Sequence, residues 1–180
     1  LQLDNGIWSA SEEDLKELPV PEKARNHFLE VLDQLDAQQR RVLDVASVMS
    51  GLLDFDVLCE ACSFDEFELD SQARVLVRQG LLYQEPEGFR WSHSWEQEFV
   101  ASELTQPMQQ RLHLRLGKIL EARFQEAETP VQAIAEHFSR GGDELKGREW
   151  LLKAADRSES AWALDRALEL CERALQWTHE

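Results

Sequence analysis

Apolar positions in this chain recur mostly at helical spacing, with one interruption of a different rhythm. Ala24, Phe28, Val31, Leu32 and Leu35 line one stripe of a helix that begins with Pro21 in its first turn and runs to about residue 35. Asp36, with Gln39 three residues later, is a capping-box pattern that opens a second helix. The face of that helix is Val42, Leu43, Val45, Ala46 and Met49, and it stops near Gly51. Residues 55–62 predict a short helix, and Asp65 starts another with Leu69, Ala73, Leu76 and Val77 on its apolar side. The interruption lies in residues 75–104, VLVRQGLLYQEPEGFRWSHSWEQEFVASEL. Gly80 can supply the left-handed position that closes a helix. Leu81-Leu82-Tyr83 and Phe89-Arg90-Trp91 are short β-type runs around a turn marked by Pro86 and Gly88. Ser92 or Ser94 can then cap a new helix, with Glu96, Gln97 and Glu98 near its positive end.

Helices followed by such a hairpin describe a winged helix. Beyond it, residues 94–104 predict one helix and Pro107 begins another reaching about residue 125, with Leu112, Leu116, Ile119, Leu120 and Phe124 as its stripe. From residue 131 the pattern changes. Ala133, Ile134, His137 and Phe138 precede Gly141-Gly142, and two alanine-rich runs follow at 145–158 and 161–177. Ala154, Ala155, Ala161, Ala167 and Ala174 fall where helices must approach closely. With Leu164, Leu168 and Leu175 around them, they have the spacing of a helical-repeat hairpin. The expected fold is therefore mainly α: a winged helix followed by α-helical hairpins of the tetratricopeptide (TPR-like) kind. Residues 1–20 read as the tail of an upstream domain and a linker, 21–104 as the winged-helix domain, and 105–180 as the helical region. The opening, with the strand-like Ile7-Trp8-Ser9, reads as a piece of a longer protein.

Charge narrows the function. The chain has 35 acidic and 19 basic residues, a net charge of −16, and a field of that sign repels phosphate backbones and anionic membranes. The segment in the place of a DNA-recognition helix carries Asp65, Glu66, Glu68 and Asp70 against Arg74 and Arg78. A groove-reading helix normally brings Arg, Lys, Asn or Gln to base edges with basic support. A DNA-binding winged-helix transcription regulator is thus the second reading, and DNA contact through this segment is not expected. No apolar run approaches the roughly 20 residues that span a bilayer. Three cysteines do not make a disulfide framework, so the expected location is the cytoplasm.

Several residues invite chemical readings. Cys59 and Cys62 form a lone C-x-x-C among acidic neighbours that disfavour a thiolate, without the further ligands a zinc site needs, and are expected to be packing residues. Arg111, His113, Arg115, Lys118 and Arg123 are the densest basic set, interrupted by Glu121 and Glu126. They form either a solvated surface or a contact with an acidic neighbour. Trp150, Trp162 and Trp177 lie on the terminal helices, where tryptophan is either core or, if exposed, the mark of a partner groove. Arg111, Arg115, Trp162 and Trp177 are the candidate docking residues. No phosphate loop, dinucleotide fingerprint, H-E-x-x-H or G-x-S-x-G occurs. No catalytic residue, metal ligand or cofactor is expected in this chain, and it is not expected to be an enzyme.

Three stretches carry a family likeness: LKELPVPEKARNHFLEVLDQLDAQQRRVLDVASVM, RVLVRQGLLYQEPEGFRWSHSWEQEFVASEL, and AIAEHFSRGGDELKGREWLLKAADRSESAWALDRALELCERAL. In this order they resemble the segment that follows the ATPase core in bacterial STAND regulators, signal-transduction ATPases that include the large LuxR-type transcription activators and cyclase-associated ATPases. The resemblance implies an upstream ATPase domain of the same chain that holds ATP or ADP with Mg. It implies a winged helix that relays nucleotide state, and helical repeats that dock a protein or small-molecule inducer. In that family a histidine opening the last helix of the winged helix approaches the β-phosphate of ADP. The matching position is His93, flanked here by Ser92 and Ser94. A helix N-terminus gives an imidazole there an anion-attracting setting; a cap packed beside Trp91 and Trp95 is the other reading of the residue.

Overall fold

The computed structural model describes residues 2–4, 7–9, 21–123, 130–160 and 162–176. It divides into two units, Leu1–Leu35 and Asp36–Glu180. In the first, strands β1 (Gln2–Asp4) and β2 (Ile7–Ser9) pair antiparallel with Leu3 opposite Trp8. Helix α1 (Glu22–Asp33) follows, with Pro21 at its N-cap and Phe28, Val31 and Leu32 buried. Ala24, expected on the same stripe, is exposed.

The second unit opens with helix α2 (Ala37–Ser47). The Asp36 carboxylate accepts the N–H groups of Gln38 and Gln39 at 2.8 Å, and the Gln39 side chain accepts the Asp36 N–H at 3.0 Å. This reciprocal capping satisfies donors that a helix start leaves unpaired. Strand β3 (Leu53–Asp54), helices α3 (Phe55–Cys62) and α4 (Glu66–Arg78), and strands β4 (Leu82–Glu85) and β5 (Gly88–Trp91) come next. Asp65 caps α4 reciprocally with Glu68. The helix ends as expected at Gly80, whose φ of +75° lets its N–H reach Val77 O while Leu81 N–H reaches Leu76 O.

The three strands form an antiparallel sheet in the order β3-β5-β4. Strands β4 and β5 are the expected hairpin, with Glu85 opposite Gly88 across a two-residue turn. Strand β3 is new relative to the sequence reading, because two residues are too short to show alternation. It pairs Leu53 with Phe89 and Asp54 with Gly88. A side chain at position 88 would collide with the Leu53 carbonyl, so glycine is required where the third strand closes on the hairpin.

Leu43, Leu53, Leu58, Leu69, Leu76 and Leu82 are fully buried. Helix α2 packs against α3, α4 and the next helix, α5 (Ser94–Glu103). Trp91 donates its indole N–H to the Ala46 carbonyl at 3.1 Å, and Gln97 donates to the carbonyls of Ser47 and Met49. The end of α2 is thereby tied to both β5 and α5.

Helix α6 (Gln106–Arg123) packs on α3 and begins a series in which α7 (Val131–Arg140), α8 (Glu144–Ser160) and α9 (Leu164–Gln176) each pack against the preceding helix. Ile134, Phe138, Trp150, Leu151, Ala154, Ala155, Leu170 and Ala174 form one buried cluster. The alanines at 154, 155 and 174 thus stand where the sequence expects close helix approach. Helix α9 starts later than the expected 161, since Trp162 has φ +60°, outside the helical region; Ala161 lies outside the described residues. The described chain is mainly helical with a small three-stranded antiparallel sheet, and none of its helices is long and apolar enough to cross a membrane.

Candidate functional site

Two places concentrate chemistry. The first is the start of α5. His93, rather than Ser92 or Ser94, occupies the N-cap, with extended backbone and no side-chain capping bond. This corrects the expected serine cap. The residue three positions on, Glu96, instead reaches back to the His93 N–H, one half of a capping box without its serine or threonine partner. The His93 side chain is exposed. It stacks on Trp95, ring centroids 6.4 Å apart and planes inclined by 19°. Trp91, expected beside it, is committed to the Ala46 carbonyl.

Glu96 was not foreseen as a buried group. It is only 7% exposed and its Oε2 has no hydrogen-bond partner; Ser92 Oγ is buried and unpartnered as well. Burial pushes the Glu96 carboxyl up to about 7, against the smaller opposing effect of the His93 N–H. A proton-holding carboxyl therefore sits one helical turn from an exposed imidazole.

The other candidates fare differently. Arg115 is engaged within the chain: its guanidinium donates to the Glu60 carbonyl at 2.7 Å and to Ser63 Oγ at 2.5 Å. It closes the C-terminus of α3, where Ser63 takes the left-handed conformation and terminal carbonyls need donors. Arg123 pairs with Asp56 at 2.5 Å, again joining α6 to α3. The basic set thus divides, with Arg111 and Lys118 exposed. Trp162 is 87% exposed, beside the exposed Leu164 and Leu168; Trp177 lies outside the described residues. Trp150 is buried and donates to Glu121 Oε1 at 3.0 Å.

Cys62 is buried and Cys59 half-buried. Burial pushes the Cys62 thiol up to about 12, and burial with Asp56, Glu66 and Asp65 raises that of Cys59. No group of three potential metal ligands occurs among the described residues. On α4, Arg74 pairs with Asp70 at 2.8 Å and Arg78 turns back to the Arg74 carbonyl.

The second place lies between the loop after α2 and helices α6 and α7. His113 Nδ1 and His137 Nδ1 are 2.9 Å apart in a buried pair. Burial pushes both imidazoles down to about 4, assisted by the Arg140 charge and, for His137, by His113. Both are neutral at pH 7. They border a partly enclosed cavity of about 220 Å³, lined also by Met49, Leu52, Leu116 and Leu120. The sequence placed His113 among basic surface residues and His137 on an apolar face. Only the packing of α7 on α6 brings them together.

No protein family, curated protein or solved structure matches the chain.

Proposed function

We propose that this chain is a regulatory and interaction segment of a STAND-type signal-transduction ATPase: a winged helix that relays nucleotide state, joined to TPR-like helices that dock a partner. The observation that carries the reading is one of order. A helix, a short strand, two helices and a hairpin, with the first strand pairing beside the hairpin's second, are followed at once by a helix opened by the exposed His93. That succession supports the winged-helix reading, and the exposed His93 at the start of the following helix supports the phosphate-sensing role that the STAND resemblance implies. The successive packing of α6 to α9 and the small buried alanines support stacked helical hairpins. The exposed Trp162, Leu164 and Leu168 support a docking face at the end of that stack.

In this reading the chain itself has no catalytic activity, and ATP or ADP with Mg binds to a core outside these residues. Arg74 and Arg78 bonded within an otherwise acidic α4 leave little for a DNA phosphate, which favours the relay over the DNA-binding alternative.

The test is His93→Ala in the full-length gene product. ADP should dissociate about 5–150-fold faster, the span of a typical coupling free energy, while the 180-residue chain unfolds as before. An unchanged ADP off-rate, or a full-length product without a phosphate loop, refutes the relay. Salt-sensitive binding of duplex DNA that is lost with Arg74 and Arg78 replaced would establish the alternative.

A further inference from the structure

We propose that the cleft between the start of α7 and helices α8 and α9 is a binding site for a small organic phosphate, a phosphate monoester with an apolar body. The argument starts from charge. The chain as a whole is strongly acidic, at −16, yet this cleft of about 500 Å³ is lined by Arg157 from α8 and by Arg166 and Arg173 from α9. Glu136, the acid among its described lining residues, is paired with Arg140 at 2.7 Å. Arg166 gives one guanidinium nitrogen, Nη1, to Glu169 at 2.6 Å and keeps its remaining donors. Glu169 stands four residues before Arg173 but is committed to Arg166, and Arg173 has no ion-pair partner among the described residues. Arg166 and Arg173 are two helical turns apart on one side of α9, about 10 Å along the axis. Side chains of that length close on one phosphoryl group from both directions.

The backbone adds donors of the same polarity. The first turn of α7, residues 130–133, forms another wall of the cleft. Its first intrahelical bond runs from the Ile134 N–H to the Pro130 carbonyl at 3.0 Å, so the N–H groups of Val131, Gln132 and Ala133 lie ahead of the helical ladder. Pro130 at the N-cap makes no side-chain capping bond to them. Guanidinium groups from two helices and the open start of a third therefore border one volume, and both kinds of donor favour a phosphoryl group. The second ionisation of a phosphate monoester lies near about pH 6, so the ligand is close to a dianion at neutral pH. A dianion answers several cations better than a monoanion does. Leu151 and Leu170, buried at the base of the cleft, with the half-buried Val131, supply the surface for an apolar body.

The site is distinct from the docking face proposed above. At about 100° per residue, Leu164 and Leu168 lie on the far side of α9 from Arg166 and Arg173. It is also independent of the ATPase relay and stands whether or not that reading holds.

The experiment is an amide NMR titration of the 180-residue chain at about pH 7.5 with phenyl phosphate and with phenyl sulfate, a monoanion of the same shape. Phenyl phosphate should shift the Val131, Gln132 and Ala133 amides saturably at about millimolar concentration, with phenyl sulfate about tenfold weaker. Arg173→Gln should weaken phenyl phosphate by about tenfold, the loss of one charge-assisted contact, while Lys118→Gln, which removes an exposed charge on α6, should leave it unchanged. No saturable shift at these amides overturns the proposal, as does equal binding of the two probes. Equal effects of Arg173→Gln and Lys118→Gln also overturn it, since general charge attraction would then account for the binding. Arg166→Gln, at an exposed position, takes the place of Arg173→Gln in that comparison if the latter does not fold.

Discussion

Replacing Glu96 by glutamine should stabilise the protein at alkaline pH and slightly destabilise it in acid. The carboxyl is buried with Oε2 unpartnered and holds its proton up to about pH 7, against an ordinary value of 4.5. In the unfolded chain it ionises at the ordinary value, so between 4.5 and 7 the folded state binds more protons than the unfolded one. The sign follows. The wild-type contribution is fully present below pH 4.5, is lost as pH rises through 7, and is constant thereafter. Each pH unit is worth about 1.4 kcal/mol, so the ionised carboxylate costs the fold up to about 3 kcal/mol at pH 8. Glutamine is the closest neutral shape and its carbonyl can still accept the His93 N–H. Its amide nitrogen inherits the unpartnered position, at a cost of about 1 kcal/mol. Glu96→Gln should therefore gain about 2 kcal/mol at pH 8 and lose up to about 1 kcal/mol at pH 4.5. Urea unfolding of both proteins across that range reads the difference directly, and effects common to both, such as relief of the net −16 charge, cancel. A difference that does not vary with pH would show that the carboxylate is solvated or paired, and the reasoning would fail.

The histidine pair predicts the opposite slope. With Glu96→Gln as background, stability should fall by about 1.4 kcal/mol per pH unit for each excluded proton between 6.5 and about 4, and His137→Gln should flatten that slope; a slope unchanged by His137→Gln counts against the buried neutral pair. Cys62 should react with a disulfide reagent at pH 8 about a thousandfold more slowly than an unstructured thiol, because so little thiolate exists for a group pushed up to about 12; rapid labelling in the native state would contradict this. Gly88→Ala should lower stability by about 3 kcal/mol in the same urea assay, since β3 must move off β5; a cost below about 0.5 kcal/mol would mean that the strand yields freely.

Local rules made much of this protein legible in the sequence. Asp36 and Gln39 specify a helix start through atoms three residues apart, Gly80 specifies a helix end through its own φ, and Pro86-Glu87-Gly88 specifies a hairpin. The apolar stripes and buried alanines follow from the same short-range periodicity. The absence of a phosphate loop is equally a property of the letters.

What the letters could not carry is whatever depends on partners distant along the chain. Strand β3 exists because Leu53 and Asp54 meet Phe89 and Gly88, and two residues have no period of their own. Arg115 closes α3 because packing sets its guanidinium against the Glu60 carbonyl, 55 positions earlier. His113 and His137 become a neutral hydrogen-bonded pair only when α7 lies against α6, and Glu96 changes its proton affinity only when the packing around α5 excludes water. Backbone torsion and capping act over a few residues, so sequence determines them. Desolvation and the pairing of remote polar groups act through space, so only the tertiary structure decides which side chains keep a charge, which lose it, and which are left facing an open cavity.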